Sequence, residues 1–215
     1  MDILSNQQIL DAGLDDWRKL GQALHTRFLT GDFTTGLALV SAIGELAESA
    51  GHHPDIALSY PHVDVTLVSH DASGVTQRDV DLAGRISELA GRRGIAADPA
   101  APAVVELALD TADVAGISPF WAALLTGDPA AAEGDDVADP SGRVPLLWFQ
   151  HTDAHGTPRQ RFHLDLWLPH DAAEARIAAA VAAGGRVVDD DEAPSFTVLA
   201  DAEGNRACVC TILGR

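Results

Sequence analysis

The segment Glu48-Ser-Ala-Gly-His52-His53-Pro54-Asp55 joins the end of a helical pattern to a loop that carries two adjacent histidines. The apolar residues before it recur at helical spacing: Phe33, Leu37, Val40, Ile43, Leu46 and Ala47. Asp32 precedes this stripe and Gly51 follows it, so we predict an amphipathic helix with a glycine C-cap. Tyr60, His70 and Asp79 lie a short distance further along the chain. This concentration of imidazoles and carboxylates indicates a functional site.

The residues after this segment alternate in polarity as a half-buried strand does. We predict a strand from Tyr60 to His70, with His70 at its end on the more polar face. Asp71 to Gly74 form a turn. Thr76 and Asp79 have the spacing of a capping box, which begins a helix that closes at Gly94.

The first thirty residues predict two further elements. Ser5 can cap a short helix that runs through Leu14. Trp17 to Leu29 are interpreted as a β-hairpin, although the same stretch is compatible with a helix. The predicted order is α-β-β-α-β-α, an α+β fold in which an antiparallel sheet carries helices on one face. Its other face would be available for a substrate or a second subunit.

Each polar residue of the site also has a purely structural interpretation. Asp79 could serve only in the capping box, and His53 could be an ordinary loop residue. Glu48 lies in the last helical turn, where the helix dipole disfavours a carboxylate, and His52 four residues later is its expected contact. Taken together, the histidines supply groups that can both accept and donate a proton near neutral pH.

The pattern Glu48-x3-His52-His53-Pro54-x5-Tyr60-x9-His70-x8-Asp79 resembles the signature of the pterin-4a-carbinolamine dehydratases. The resemblance covers residues 3 to 93, and four other residues match the family: Trp17, Phe28, Asp32 and Phe33. It implies dehydration of a 4a-hydroxytetrahydropterin to the quinonoid dihydropterin, the step that follows aromatic amino-acid hydroxylation. A functional link to such a hydroxylase and at least a homodimer are implied as well.

The resemblance also implies roles for individual residues. Three histidines would line the pterin site and catalyse the reaction: His52, His53 and His70. We further propose, from their place in the same motif, that three other residues bind or orient the substrate and the histidines: Glu48, Pro54 and Asp79. Which imidazole is the acid and which the base stays open. Acid–base catalysis of this kind needs no metal or redox cofactor.

The second half of the chain contains a repeat. Glu106-Leu-Ala-Leu109 corresponds to His163-Leu-Asp-Leu166, and each copy is followed by a helical stretch and strand-like runs. We predict two paired β-α-β-β-β modules. The acidic segments Asp128 to Asp139 and Asp189 to Glu192 are interpreted as solvated connections.

The paired modules resemble the glyoxalase-like domains of the vicinal-oxygen-chelate superfamily over residues 103 to 213. The motifs that carry this resemblance are the strand that begins at Arg161 and the turn from Asp201 to Asn205. Ligand positions of metal-using members correspond to Glu106, Gln150 and His163, but Cys208 replaces the closing glutamate. A Glu/His/Cys set could hold Zn²⁺. The replacement favours a metal-free pocket instead, and fold alone assigns no reaction.

Composition bounds the domains and the partners. Gly94 to Pro102 consist of small residues and prolines, so we predict domains at 1–95 and 103–215 joined by a linker at 96–102. A formal net charge of −18 disfavours nucleic acid and anionic membranes as partners. No signal-peptide or membrane-spanning pattern is visible, which predicts a cytoplasmic protein.

Two alternatives to the dehydratase interpretation remain at this point. In one, the glyoxalase-like domain is a metal-dependent lyase, isomerase or dioxygenase, and the first domain is a dimerisation module. In the other, the first domain is a non-catalytic interaction module, although pure binding would not need Glu48, His52, His53, His70 and Asp79 together.

Overall fold

The computed structural model describes residues 2–126, 128, 130–139, 142, 144–154, 162–182, 185–200 and 206–215. The chain divides into two compact units. The first unit comprises Met1–Ala103 with Leu168–Ala173 and Thr211–Arg215, and the second comprises Val104–Trp167 with Glu174–Cys210. No helix among the described residues is both long and apolar enough to cross a membrane.

The first unit is an antiparallel sheet with helices. Its elements are α1 (Asn6–Asp11), β1 (Arg18–Leu20), β2 (Ala23–Leu29), α2 (Phe33–Ala50), β3 (Asp55–Leu58), β4 (His62–Leu67), α3 (Gln77–Arg92) and β5 (Ala96–Ala97). The strands lie in the order β1-β2-β4-β3, and β5 pairs with β2. The predicted hairpin is confirmed, because β1 and β2 pair antiparallel.

The predicted element order lacked two strands. β3 follows Pro54 directly and spans only four residues, too few for alternation to identify it. β5 consists of two residues of the predicted linker, and only its pairing with β2 defines it as a strand. The observed order is therefore α-β-β-α-β-β-α-β. The predicted strand from Tyr60 to His70 is shorter in the structure, and α1 ends at Asp11 rather than Leu14.

Local signals begin and end the two long helices that flank the candidate site. The Asp32 side chain caps α2 by accepting from the Thr35 amide, and Gly51 ends the helix with a φ of 60°. Only glycine adopts that left-handed conformation without a steric cost. A capping box formed by Thr76 and Asp79 begins α3, as the spacing predicted.

The core of the first unit lies between one sheet face and the helices. The inward residues of β2 and β4 alternate with outward ones, and they include Leu24, Phe28, Val63, Val65 and Leu67. They pack against the apolar faces of α2 and α3, which contribute Leu39, Ile43, Leu82, Ala83, Ile86 and Ala90. The opposite face of these strands is polar. It carries His25 and the Arg27–Asp64 ion pair, in which the guanidinium donates twice at 2.6 and 2.7 Å.

The described part of the second unit contains a mixed sheet of eight strands. Its elements are β6 (Val104–Thr111), α4 (Val114–Thr126), β7 (Ala132–Glu133), β8 (Asp136–Val137), β9 (Leu147–His151), β10 (Phe162–Trp167), α5 (Ala173–Ala182), β11 (Arg186–Asp189), β12 (Phe196–Ala200) and β13 (Arg206–Cys210). The strands lie in the order β11-β12-β13-β10-β6-β9-β8-β7. The central strands β6 and β10 pair antiparallel, and each pairs parallel with the last strand of its own half. The chain thus forms the two predicted βαβββ modules.

Part of the second unit differs from the sequence-based expectation. The acidic segment Asp128 to Asp139, predicted as a solvated connection, contains the short hairpin β7–β8. Two-residue strands give no periodic signal in a sequence. Arg161 and the turn from Asp201 to Asn205, which carried the glyoxalase-like resemblance, lie outside the described residues.

Candidate active site

A buried histidine–aspartate pair forms the centre of the candidate site. His52 follows the left-handed Gly51 that ends α2, and its amide donates to the Ala47 carbonyl at 3.3 Å. Its Nε2 lies 2.7 Å from Oδ1 of Asp79, in the first turn of α3. The Asp79 side chain is fully buried, and His52 is 8% exposed. A pair this short and this buried holds the imidazole ring in one orientation.

The second oxygen of Asp79 is held by hydrogen-bond donors. Oδ2 accepts from the Ser69 hydroxyl at 2.7 Å, from the Thr76 amide at 2.7 Å and from the Thr76 hydroxyl at 3.1 Å. Both hydroxyl residues are buried. Because these donors fix the carboxylate as a hydrogen-bond acceptor, we assign the hydrogen shared with His52 to Nε2. Nδ1 is then the ring nitrogen that can accept a proton.

His53 and Glu48 form a separate and exposed pair. His53 Nε2 lies 3.1 Å from Oε1 of Glu48, and the side chains are 61% and 80% exposed. The sequence suggested His52 as the contact of Glu48. The helix ends one residue before Gly51, so the left-handed turn directs His52 toward Asp79 and leaves Glu48 beside His53. An exposed pair of this kind contributes little to stability.

His70 reaches the same end of the sheet by way of β4. Its Nε2 lies 4.0 Å from Oδ2 of Asp55, the first residue of β3, and both side chains are exposed. Its neighbour Ser69 donates to Asp79, which also bonds His52. One carboxylate therefore links the segment that carries His52 with the segment that carries His70.

Pro54 and Tyr60 occupy opposite ends of the β3–β4 hairpin. Pro54 is half-buried and directly precedes β3, next to the paired histidines. Tyr60 lies in the turn that joins the two strands and is 69% exposed. The hairpin therefore separates Tyr60 from the end at which His52, His53 and His70 lie.

The second unit has a polar sheet face that contains all four predicted pocket residues. The register aligns Asp165 with Glu106 on one side and with Cys208 on the other. His163 precedes Asp165 by two residues and so points to the same face. Gln150 is exposed and lies on β9, two strands away from β10, where it pairs with Asp110 of β6. Glu106 accepts a hydrogen bond from the Trp167 indole at 2.7 Å.

The first unit has clear relatives. The family model described as pterin 4 alpha carbinolamine dehydratase matches residues 3–89. A relative from Cyanothece sp., named as a member of that enzyme class, is 48% identical over 88 residues, which are 41% of this chain and 89% of the relative. The chain belongs to the pterin 4 alpha carbinolamine dehydratase family. A similarly named relative from Thermosynechococcus vestitus is 44% identical over 79 residues, or 37% of this chain and 83% of the relative.

Two other comparisons concern the second unit of this dehydratase family member and a solved structure. A model described as a glyoxalase-like domain matches residues 106–210, so both predicted resemblances are confirmed. The crystal structure of a transcriptional coactivator/pterin dehydratase from Brucella melitensis is 33% identical. It aligns with 42% of this chain and all of that chain at a TM-score of 0.40.

Several residues that position side chains in the dehydratase-like site, or on the polar sheet face of the second unit, were not predicted from the sequence. Ser69 and Thr76 donate hydrogen bonds to Asp79. In the sequence, only the position of Ser69 next to His70 and of Thr76 in the capping box could have indicated this role. Asp165 and Trp148 were missed in the second unit, where the indole donates to Asp165 Oδ2 at 3.0 Å. The alternation of His163 and Asp165 along one strand is the signal that could have found Asp165.

Proposed function

We propose that the dehydratase-like domain removes water from a 4a-hydroxytetrahydropterin and forms the quinonoid dihydropterin. The observation that carries this proposal is the buried His52–Asp79 pair, in which the carboxylate fixes the imidazole tautomer. Membership of the dehydratase family supports the same substrate class. The exposed histidines beside the pair supply further acid–base groups.

The dehydration requires two proton movements. A proton leaves N5 of the pterin, and its electron pair forms the C4a–N5 double bond. The C4a–O bond breaks, and the departing hydroxyl takes a second proton to leave as water. We assign the first step to His52, whose Nδ1 is the acceptor nitrogen once Nε2–H is bonded to Asp79.

The second proton comes from an exposed imidazole in this proposal. His53 lies beside Glu48 and His70 lies near Asp55, so a carboxylate accompanies each candidate acid. Exposure also allows either histidine to be reprotonated from solvent after each turnover.

The test is the rate at which purified protein accelerates quinonoid dihydropterin formation from freshly generated 4a-hydroxytetrahydropterin. Removing one acid–base group costs about 10²–10⁴-fold, so His52→Ala should lose that much and His52→Ala/His70→Ala should abolish acceleration. His62→Ala is the matched control, because His62 lies on β4 beside Asp64 and should leave the rate unchanged. No acceleration by the wild-type protein, or full activity of the double variant, would overturn the proposal.

A further inference from the structure

We propose that His163, Asp165 and Cys208 of the glyoxalase-like domain form a binding site for a divalent transition metal of the zinc class. One nitrogen, oxygen and sulfur donor from these residues lie within 4.8 Å of one another. His163 and Asp165 share a face of β10, and Cys208 stands opposite Asp165 on β13. This site is independent of the dehydratase reaction proposed above.

The spacing of the donors fits a metal better than a direct ion pair. His163 Nε2 and Asp165 Oδ1 are 3.4 Å apart, which is longer than an ordinary N–H···O hydrogen bond. Two ligands bound tetrahedrally at about 2.0–2.1 Å are separated by about 3.3 Å, close to the observed value. The Cys208 thiol completes the set after a side-chain movement on the order of 1 Å, since Zn–S bonds are near 2.3 Å.

Neighbouring groups orient the donors as the outer shell of a metal site does. The Trp148 indole donates to Asp165 Oδ2 at 3.0 Å, so Oδ1 is the oxygen presented to His163. On the other side of the imidazole, Nδ1 of His163 faces the Asp110 carboxylate, but the 3.9 Å between Nδ1 and Oδ1 is too long for a hydrogen bond in this conformation. Metal-bound histidines usually direct their second nitrogen to a carboxylate, which fixes the tautomer and raises ligand basicity.

The donor set differs from the one that the glyoxalase-like resemblance implies. Glu106 occupies a position that resemblance assigns to a ligand, but its Oε2 takes the Trp167 indole hydrogen bond. Gln150, at another such position, is exposed. Asp165, which the resemblance does not assign, is buried between the two strands that carry Glu106 and Cys208. It supplies the carboxylate instead.

The chemistry of the donors selects the metal class. A thiolate with an imidazole suits Zn²⁺ or Co²⁺, whereas Mg²⁺ and Ca²⁺ prefer oxygen ligands alone. Three protein ligands leave one tetrahedral position for water or a substrate, as in catalytic rather than structural zinc sites. The half-buried position of His163 is compatible with such access.

The test is a Co²⁺ titration of the full-length, chelator-treated protein, followed by absorption spectroscopy and equilibrium dialysis. We expect one Co²⁺ per chain with a thiolate-to-cobalt charge-transfer band, which Zn²⁺ bleaches by displacement. The chain has two cysteines, so Cys208→Ser should remove the band while Cys210→Ser, two residues along the same strand, should keep it. Trp148→Phe should weaken binding by about 10–100-fold, and Asp165→Asn should retain the band but weaken binding at least as much, because it alters a ligand directly.

Three results would overturn the metal site: no Co²⁺ bound, binding without the band, or loss of the band in Cys210→Ser but not in Cys208→Ser. Circular dichroism establishes that each variant is folded before its spectrum is compared. Dehydratase activity is no part of this experiment. Failure of the metal site therefore leaves the proposed pterin reaction standing, and the converse also holds.

Discussion

Asp79→Asn should strongly lower the rate of the proposed dehydration while preserving the fold. The substitution keeps the size of the side chain and one acceptor oxygen but places an NH₂ group at the other position. Asp79 faces donors at both oxygens, with His52 at Oδ1 and with Ser69 and Thr76 at Oδ2. An asparagine cannot satisfy both sides with the existing His52 tautomer.

The hydrogen bonds decide which way the new amide turns. If its oxygen faced His52, the NH₂ group would meet the amide and hydroxyl donors of Ser69 and Thr76, and each unsatisfied buried group costs about 1–3 kcal/mol. The opposite orientation conflicts only at His52. It requires the imidazole to accept at Nε2 and to carry its hydrogen on Nδ1. The ring then cannot take a proton from the substrate with Nδ1.

A wrong-tautomer change of this kind lowers kcat by up to about 10⁴-fold in a histidine–carboxylate pair. The assay is quinonoid dihydropterin formation under saturating substrate, with KM measured in parallel. Because Asp79 is fully buried, KM should change little. Asp81→Asn is the matched control, since Asp81 is an exposed carboxylate on the same helix and should leave kcat unchanged.

The opposite result would be a folded Asp79→Asn protein that keeps a kcat within about threefold of wild type. That result would mean that the His52 tautomer is irrelevant to the rate. An equal loss of kcat in Asp81→Asn would assign the effect to removal of any carboxylate from α3 and not to the His52 tautomer. Thermal unfolding of each variant separates a catalytic loss from an unfolded sample.

Three further outcomes follow from the first unit. Ser69→Ala removes one hydrogen-bond donor from Asp79, so calorimetry should show a melting temperature lowered by the equivalent of about 1.5–3 kcal/mol. In the same activity assay, kcat should fall less than in Asp79→Asn. Burial lowers the pKa of His25 to about 4, against contributions from the Leu20 backbone and Asp64. On acidification from pH 6.5, the unfolded chain therefore binds this proton before the folded chain does. The free energy of unfolding should fall by about 2 kcal/mol between pH 7 and pH 5 in urea titrations, and His25→Gln should remove this loss. Gly51→Ala should cost about 1–2 kcal/mol in the same titrations, because alanine is strained at a φ of 60° although the space around it is open.

Local signals made the helices of the first unit predictable. Asp32, Gly51 and Thr76 act within a few residues of themselves, and each has the conformation or hydrogen bond that its position predicts. The alternation along β4 likewise needs only the period of a strand. Short strands escape such reasoning, because β3 and β5 exist only through pairing with β4 and β2.

The partners of the charged side chains were less predictable than the elements that carry them. The His52–Asp79 contact joins residues 27 positions apart, and the turn at Gly51 decides that His53 rather than His52 meets Glu48. In the second unit, the two-residue period predicted the shared face. It could not predict the hydrogen bond from the Trp167 indole to Glu106, which joins side chains of different strands.

Asp79 shows why a structural and a functional interpretation of one residue need not compete. Its Oδ2 accepts from the Thr76 amide and so caps α3, while its Oδ1 orients His52. The capping box thus positions the carboxylate, and the fold of α3 determines the orientation of His52, the proposed base. Changes at His52 should alter catalysis with little effect on folding, whereas most changes at Asp79 should alter both catalysis and folding. Asp79→Asn separates the two effects, because the asparagine side chain can still cap the helix.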